Sequence, residues 1–474
     1  MMDFISTLPD EVLCHILSFL TTKHAASTSV LSKRWRDLIA FVPFVEIDDS
    51  DLLRPERDGV LEIFMDFVDR VLALQGDSRI KRFILDCKAG IDPDRVNRWI
   101  RVVLRRSVSV ISLCTDFGDE YQLPPEVFVS KTLVSLKLKG GFVLDWISRG
   151  SVSLPMLRNL FLSSVGFRGG QFKMRLPACP VIETIDMEFM DWMVFDVNVS
   201  SETLKELFIC CDGSYEDPES VCFDTPRLVY LWYSDFVAED YPKVNLPNLV
   251  EARIDLKLDE HLFELARETN VDGGVEYDDE EDDVFLRFRN VWKLFSGMRN
   301  VEKLYLAPNT LQVLSLCCKS MPVFNKLKFL HIRSSEDRGW QAMPVLLKNC
   351  PNVETLVFEG LLHYVTDKCG NACDCVSRED RGSSLRSCRV KKLEIKGFRG
   401  TKRELTMIKH FLLSFPGLEE MWIHAQVKGH TELEVPGTYP LVVEMINLFC
   451  EISSCDVHFL VPTHLSKKLS LHNE

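Results

Sequence analysis

The chain has 474 residues, 46% of them hydrophobic, so it can bury more than one globular core and lacks the composition of a disordered protein. Its formal net charge is −14, which argues against a general binder of nucleic-acid backbones, because such binding depends on a surplus of Lys and Arg. No apolar run reaches the roughly 18 residues of a membrane helix, and no secretory signal is visible, so we expect an intracellular protein, cytoplasmic or nuclear, without a membrane or nucleic-acid partner.

The N-terminal segment Leu8 to Pro43 is predicted to form three short amphipathic helices. Pro9 suits the first position of helix one, and further helices fit Ala25 to Leu31 and Ser32 to Phe41. The first helix has a broad apolar stripe made of Val12, Leu13, Ile16, Leu17 and Leu20. Three short helices cannot cover that much apolar surface among themselves. Either the rest of the chain or a partner protein must cover it.

Two longer helices are predicted next. Apolar residues at helical spacing follow Val60 until Gly76 stops the helix, and Asp92 with Pro93 begins another. The second of these helices turns an arginine row outward, formed by Arg95, Arg98, Arg101 and Arg105. The row is either a contact for an acidic partner or an ordinary solvated face, and the acidic composition of the chain favours the second interpretation.

From residue 80 onward the pattern apolar-x-x-apolar-x-apolar recurs, from Ile80/Phe83/Leu85 to Leu418/Met421/Ile423. Successive copies start 21 to 28 residues apart, except for one step of 52 and one of 37. This period is typical of leucine-rich repeats, in which each copy contributes a short strand to a parallel sheet. We interpret the step of 52 as two repeats of which one is obscured, and the step of 37 as a repeat plus an insertion.

Two segments interrupt the repeats. Residues 272–283 are strongly acidic and are expected to form a mobile loop, without the spacing of a calcium site. The insertion at 366–387 contains Cys369, Cys373 and Cys375, whose spacing fits a loop with free thiols better than a zinc knuckle. The sixteen cysteines are scattered through the chain and are expected to be reduced.

The first segment resembles the F-box, in the residues Leu-Pro-Asp-Glu-Val-Leu from Leu8, Ile-Leu-Ser-Phe-Leu from Ile16 and Val-Leu-Ser-Lys-Arg-Trp from Val30. Thr21 stands where many members of that family have proline. The C-terminal stretch around Lys391–Gly400, with a helix from Glu404 to Phe415, looks like an FBD domain. Together with the repeats, the chain is similar to plant F-box/FBD/LRR-repeat proteins over nearly its whole length.

This resemblance implies an α/β architecture: a three-helix F-box, an irregular leucine-rich-repeat solenoid with parallel strands, and an FBD domain. The expected boundaries are 1–46 for the F-box, 47–79 for a connecting strand and helix, 80–365 for the repeats, 366–387 for the insertion, 388–460 for the FBD domain and 461–474 for a tail.

The resemblance also implies the substrate-recognition subunit of an SCF-type (cullin–RING) ubiquitin ligase. The F-box would bind a Skp-type adaptor, and through it a cullin, while the repeats and FBD region would bind a protein substrate. The adaptor contacts implied by the family fall on Leu8, Pro9, Ile16, Leu17, Val30, Ser32, Lys33 and Trp35.

Within each repeat strand, the residue between the last two apolar anchors should point away from the core, toward a concave sheet face. Lys137, Asp186, Val357 and Glu394 belong to this set, and its candidate substrate contacts are Phe161, Phe208, Trp232, Arg253, Tyr305, His331 and Trp422. Large aromatic residues often anchor interfaces, although some of these could instead pack against loops.

The sequence has no P-loop, no dinucleotide-binding glycine motif and no metalloprotease or nucleophile-elbow motif, so we expect no enzymatic activity, no catalytic residues, no cofactor and no metal. In a ligase the chemistry would reside in other subunits. The alternative is a repeat scaffold that binds partners without any ligase.

Overall fold

The computed structural model describes most of the chain, and the account below concerns residues 5–49, 60–87, 91–115, 117, 121–144, 152–167, 170–173, 178–190, 194–211, 218–258, 279–317, 321–335, 342–361, 385–386, 388–426, 431–435 and 437–461. The chain divides into two compact units, unit 1 at Met1–Glu216 and unit 2 at Asp217–Glu474. In each unit helices or turns accompany a parallel sheet.

Unit 1 begins with a helical head made of α1 (Asp10–Leu17), α2 (Thr22–Ser27) and α3 (Lys33–Leu38). The second and third helices are shorter than predicted, because 3-10 turns at Thr28–Val30 and Ile39–Phe41 continue them. Ser32 has an extended backbone, and its hydroxyl accepts the Trp35 N–H, so the chain breaks there and α3 starts anew. Pro9 precedes α1 as its cap and is not its first residue.

The sheet of unit 1 is built from one strand per repeat, preceded by a strand that follows the head. Its strands and the neighbouring elements are β1 (Phe44–Asp48), α4 (Val60–Leu74), β2 (Arg82–Cys87), α5 (Pro93–Arg105), β3 (Val110–Thr115), β4 (Ser135–Leu144), β5 (Asn159–Phe167), β6 (Gly170–Lys173), β7 (Thr184–Glu188), β8 (Val194–Ser200) and β9 (Glu206–Cys210). The main sheet runs β1-β2-β3-β4-β5-β7-β9 with parallel neighbours, and β6 pairs with β8 separately.

The two long helices of unit 1 agree with the sequence. The Asp92 side chain accepts the Asp94 N–H at the start of α5, and Gly76 follows α4 with a φ of 51°. The arginines of α5 are largely paired with acids of unit 1: Arg95 with Glu62, Asp66 and Asp69, Arg98 with Asp69, and Arg101 with Glu126. This pairing supports the interpretation of the row as an ordinary helix face.

Unit 2 continues the pattern of one parallel strand per repeat. Its elements are β10 (Ser220–Asp224), β11 (Tyr230–Phe236), β12 (Val244–Asn245), β13 (Glu251–Lys257), α6 (Asp279–Gly297), β14 (Lys303–Leu306), α7 (Pro308–Cys317), β15 (Phe329–Arg333), α8 (Met343–Lys348), β16 (Thr355–Glu359), β17 (Lys392–Phe398), α9 (Lys402–Ser414), β18 (Glu420–Ala425), α10 (Thr438–Ile452) and β19 (Asp456–Leu460). The main sheet runs β11-β13-β14-β15-β16-β17-β18-β19, again parallel, and β10 pairs with β12.

Two sequence interpretations of this region are wrong. Glu251 pairs directly with Lys303 and Ile254 with Leu306, so β13 and β14 are adjacent and the step of 52 hides no further strand of the sheet. Asp279 begins helix α6, so at least the end of the acidic run 272–283 is helical and not a loop. The earlier part of that run lies outside the described residues.

The strand anchors form the core of each unit. Leu304, Leu330, Leu356, Leu393 and Met421 are opposed in successive strands of unit 2, and each is fully buried. The same sheet continues from β16 into β17, β18 and β19, the region predicted as the FBD domain. The cysteines described as free thiols include the buried Cys350 and Cys388.

Candidate functional site

The helical head has its own small core. Leu13 and Leu17, one helical turn apart on α1, are fully buried against Trp35 and Leu38 of α3. Partly buried Leu8 packs against this core, and Arg34 of α3 donates to the Leu8 carbonyl at 2.6 Å and to the Asp10 carboxylate. The side of α1 that carries Leu13 and Leu17 therefore forms the core of the head.

Five apolar side chains of the head are exposed. Val12, Ile16 and Phe19 follow one another at i, i+4 and i+7, and Phe19 is 76% exposed. Val30 and Leu31, in the turn before α3, are 85% and 65% exposed. We call these five residues the apolar head surface. Exposed apolar side chains, when they lie together on a surface, mark a protein–protein contact.

The predicted adaptor residues separate into two groups. Leu17 and Trp35 are core residues, with 0% and 7% exposure, so the chain alone buries them, and their contact with a partner stays a prediction. The helical period explains their burial, because residues four apart on α1 and three apart on α3 face the head interior. Pro9, Ile16, Val30, Ser32 and Lys33 are exposed, and Leu8 is half-buried. The periodicity of Val12, Ile16 and Phe19 was the signal that could have added Val12 and Phe19.

The head is joined to the sheet of unit 1 by specific hydrogen bonds. The Glu46 N–H of β1 donates to the Thr22 hydroxyl of α2 at 2.7 Å. The buried Gln75 side chain, just after α4, donates to the Val42 carbonyl at 2.9 Å. Thr21 caps α2 by accepting the His24 N–H. The apolar head surface is thus held on a defined scaffold.

The candidate substrate residues occupy equivalent positions in adjacent strands, which confirms the phasing of the repeats. In unit 1 the outward row is Lys137, Phe161, Asp186 and Phe208, each opposed to the next. In unit 2 the outward row is Trp232, Arg253, Tyr305, His331, Val357, Glu394, Trp422 and His458. Val357 is the exception to the predicted exposure, because it is only 1% exposed.

Arg253 is the centre of an aromatic cluster in unit 2. Its guanidinium carbon lies 4.3 Å from the ring centroid of Tyr305 and 6.0 Å from that of Trp232. The guanidinium also donates to Glu251 at 3.0 Å, so its charge is neutralised within the chain. Trp232 is 42% exposed, so part of its flat ring faces solvent beside Arg253.

The other end of the row carries histidines and a second tryptophan. Trp422 stacks on His458 at 4.1 Å between ring centroids, and the Lys392 ammonium lies 5.0 Å from the Trp422 ring. His424 lies 3.1 Å from Glu394. Burial lowers the pKa of His331, although its ring lies 3.6 Å from the Glu359 carboxylate, whose charge acts in the opposite direction. His458 was not predicted as a member of this row.

No group of three or more His, Cys, Asp or Glu side chains with metal-binding geometry occurs among the described residues. The insertion considered for zinc, at 366–387, lies almost wholly outside them. Across the same described ranges, no helix has the length and apolar character needed to cross a membrane.

Comparisons with known proteins agree with a helical head followed by repeat strands. Residues 5–46 match the family model of the F-box domain, and residues 96–246 match the LRR repeats of the FBD-associated F-box protein At5g56370. Two Arabidopsis thaliana proteins are similar along their whole length. The F-box protein At3g59000 is 53% identical, over 99% of this chain and 96% of its own. The F-box/LRR-repeat protein At3g58930 is 52% identical, over 98% of this chain and 99% of its own.

Proposed function

The chain belongs to the plant F-box/LRR-repeat protein family, and on that premise we propose that it is the substrate-recognition subunit of an SCF-type (cullin–RING) ubiquitin ligase. The head would bind a Skp-type adaptor, which connects it to a cullin. The strand rows would bind a protein substrate. The chain would contribute proximity, by raising the local concentration of the substrate near the ligase, and no bond-making chemistry of its own.

The apolar head surface is the observation that supports this proposal most. Phe19, Val30 and Leu31 are strongly exposed in a segment whose inward side already has a complete core. Covering a large apolar side chain contributes about 1.5–3 kcal/mol when it becomes fully buried. An adaptor that covered this surface would therefore gain substantial affinity without any refolding of the head.

The adaptor contacts that we propose are the exposed members of the predicted set and their neighbours on the same surface. Pro9, Ile16, Val30, Ser32 and Lys33 stay in the set, and half-buried Leu8 lies at its border. Val12, Phe19 and Leu31 join it. Trp35 and Leu17 support this surface from inside the head.

The substrate contacts that we propose lie on the outward rows. In unit 2 these are Trp232, Arg253, Tyr305, His331 and Trp422, and in unit 1 they are Phe161 and Phe208. Rigid aromatic side chains anchor interfaces at a low entropic cost. The contacts of Arg253 with two rings hold part of this surface in place before a substrate arrives.

Adaptor capture by the purified full chain tests the proposal. Val30→Asp places a charge on the apolar head surface and should abolish binding of a Skp-type adaptor. Val323→Asp is the matched control, because Val323 is similarly apolar and 47% exposed but belongs to unit 2. Its adaptor binding should equal that of the unchanged chain. Failure of the unchanged chain to bind any Skp-type adaptor would instead support the alternative, a repeat scaffold that acts without a ligase.

A further inference from the structure

The outward row of unit 1 places an acid between two aromatic side chains. Asp186 on β7 is directly opposed to Phe161 on β5 and to Phe208 on β9. Opposed residues in neighbouring strands are about 4.8 Å apart, and they point to the same face of the sheet. Both phenylalanines and the acid are half-buried, so each keeps part of its surface open to solvent.

The Asp186 carboxylate has no partner of its own among the described residues. Its Oδ1 atom is enclosed and accepts no hydrogen bond. No ion pair joins the side chain to a cation of the described residues, although the charge of Lys137, the opposed neighbour of Phe161, acts to lower its pKa. Burial, followed by the charge of Glu188, raises the pKa of Asp186 to about 6. A cation that approaches the open side of such a carboxylate stabilises its charged form.

The outward row of unit 2 contains a comparable arrangement in which the chain itself supplies a cation between two aromatic side chains. There the opposed residues are Trp232, Arg253 and Tyr305, so an arginine of the chain occupies the position between two aromatic side chains. Its guanidinium lies within about 6 Å of both rings, the range of a cation–π contact. Unit 1 has aromatic side chains at the flanking positions but an acid at the centre.

The charges facing Asp186 come from its own strand and from β4. Glu188 lies two residues along β7 on the same face and adds negative charge. Lys137 on β4 acts in the opposite sense, from the far side of Phe161, and it is exposed. The local balance therefore favours an added positive group over an added negative one.

We propose that Phe161, Asp186 and Phe208 form a binding site for a basic side chain, arginine or lysine, of the protein that this chain captures. The site deepens the proposed function and rests on it, because it names the chemistry of the substrate at one position. The carboxylate supplies the charge-assisted hydrogen bond, and the two rings supply cation–π contacts on either side.

The test uses the full chain and two fluorescently labelled, amidated peptides. One has the sequence Ser-Gly-Arg-Gly-Arg-Gly-Ser, and in the other citrulline replaces both arginines, which removes the charge and keeps the shape. Fluorescence anisotropy at low ionic strength gives both affinities. The unchanged chain should prefer the arginine peptide by about tenfold, and Asp186→Asn should remove that preference. Phe161→Leu combined with Phe208→Leu should reduce the preference by about threefold.

A matched control separates the site from the general negative charge of the chain. Glu202→Gln removes one charge at an exposed position outside the outward row, and the preference for the arginine peptide should stay unchanged. Equal losses in Asp186→Asn and Glu202→Gln, or no preference in the unchanged chain, would overturn the proposal. Adaptor binding is measured on the same samples. Failure of adaptor binding would count against the ligase function alone, whereas the absence of a peptide preference in the unchanged chain would count against this site alone.

Discussion

Arg253 lies over the ring of Tyr305, with 4.3 Å between the guanidinium carbon and the ring centroid. The two residues are directly opposed in β13 and β14, so the contact follows from the register of the repeat strands. A charged side chain held on an aromatic ring has little rotational freedom left to lose when a partner binds. The outward row of unit 2 is therefore organised before it meets a substrate.

Arg253→Ala should loosen that cluster. The variant loses the contacts with Tyr305 and Trp232 and the hydrogen bonds to Glu251, and we expect the free energy of unfolding to fall by about 1 kcal/mol. Denaturant unfolding of the full chain measures this. Arg227→Ala is the control, because Arg227 is exposed on a turn outside the row, and it should change stability by less than about 0.5 kcal/mol. Equal effects of the two substitutions would contradict the role of the cluster.

Trp35 and Val30 should respond in opposite ways, although both were predicted as adaptor contacts. Trp35→Ala removes a buried aromatic from the head core and should cost about 3–5 kcal/mol of stability. Val30→Ala removes exposed surface, so it should leave the unfolding free energy within about 0.5 kcal/mol of the unchanged chain while weakening adaptor binding. Calorimetry together with adaptor titration distinguishes the two. A stable Trp35→Ala head would show that this residue is not part of the core.

Asp186→Asn should stabilise the chain at pH 7. The pKa of Asp186 is raised to about 6 in the folded chain, against an ordinary 3.8, so folding disfavours its charged form. That penalty is present above pH 6 and is lost as the pH falls through 6 toward 4. Because the side chain is half-exposed, we expect a gain of only about 1 kcal/mol at pH 7, and almost none near pH 4. Unfolding curves at both pH values measure it, and a gain that is independent of pH would contradict the assignment.

Gly400→Ala should destabilise unit 2 more than Gly76→Ala destabilises unit 1. Both glycines have positive φ, 86° and 51°. A Cβ at Gly400 would lie 2.6 Å from a methyl carbon of Leu433, whereas a Cβ at Gly76 meets nothing within 4 Å. Each substitution carries a backbone cost of about 1 kcal/mol or more, and only Gly400→Ala adds the clash, worth about 1–3 kcal/mol. Parallel thermal unfolding of the two variants checks the difference.

The repeats could be predicted from the sequence because their signal is periodic. Once the three apolar anchors of each strand were recognised, the residue between the last two followed, and Tyr305 and Trp422 lie where that rule places them. The capping of α5 by Asp92 was predicted from local chemistry, whereas the capping box of Thr401 and Glu404 in α9 is equally local but was not predicted. Local rules are enough for such features.

Features that depend on tertiary contacts could not be predicted. No local pattern decides which side of the α1 stripe the head itself buries, so Leu17 was grouped with Ile16 although one is buried and the other exposed. The pairing of Arg95 with acids of α4 joins segments far apart in sequence. The direct pairing of β13 with β14 across a long connection is likewise a non-local event.

Hydrogen exchange of the full chain, alone and with a Skp-type adaptor, tests the central claim most directly. The account predicts that the adaptor slows exchange in α1 and in the segment from Thr28 to Leu31, which carry the apolar head surface, and leaves the strands of unit 2 unchanged. Protection confined to the strands, or no protection of the head at saturating adaptor, would contradict it.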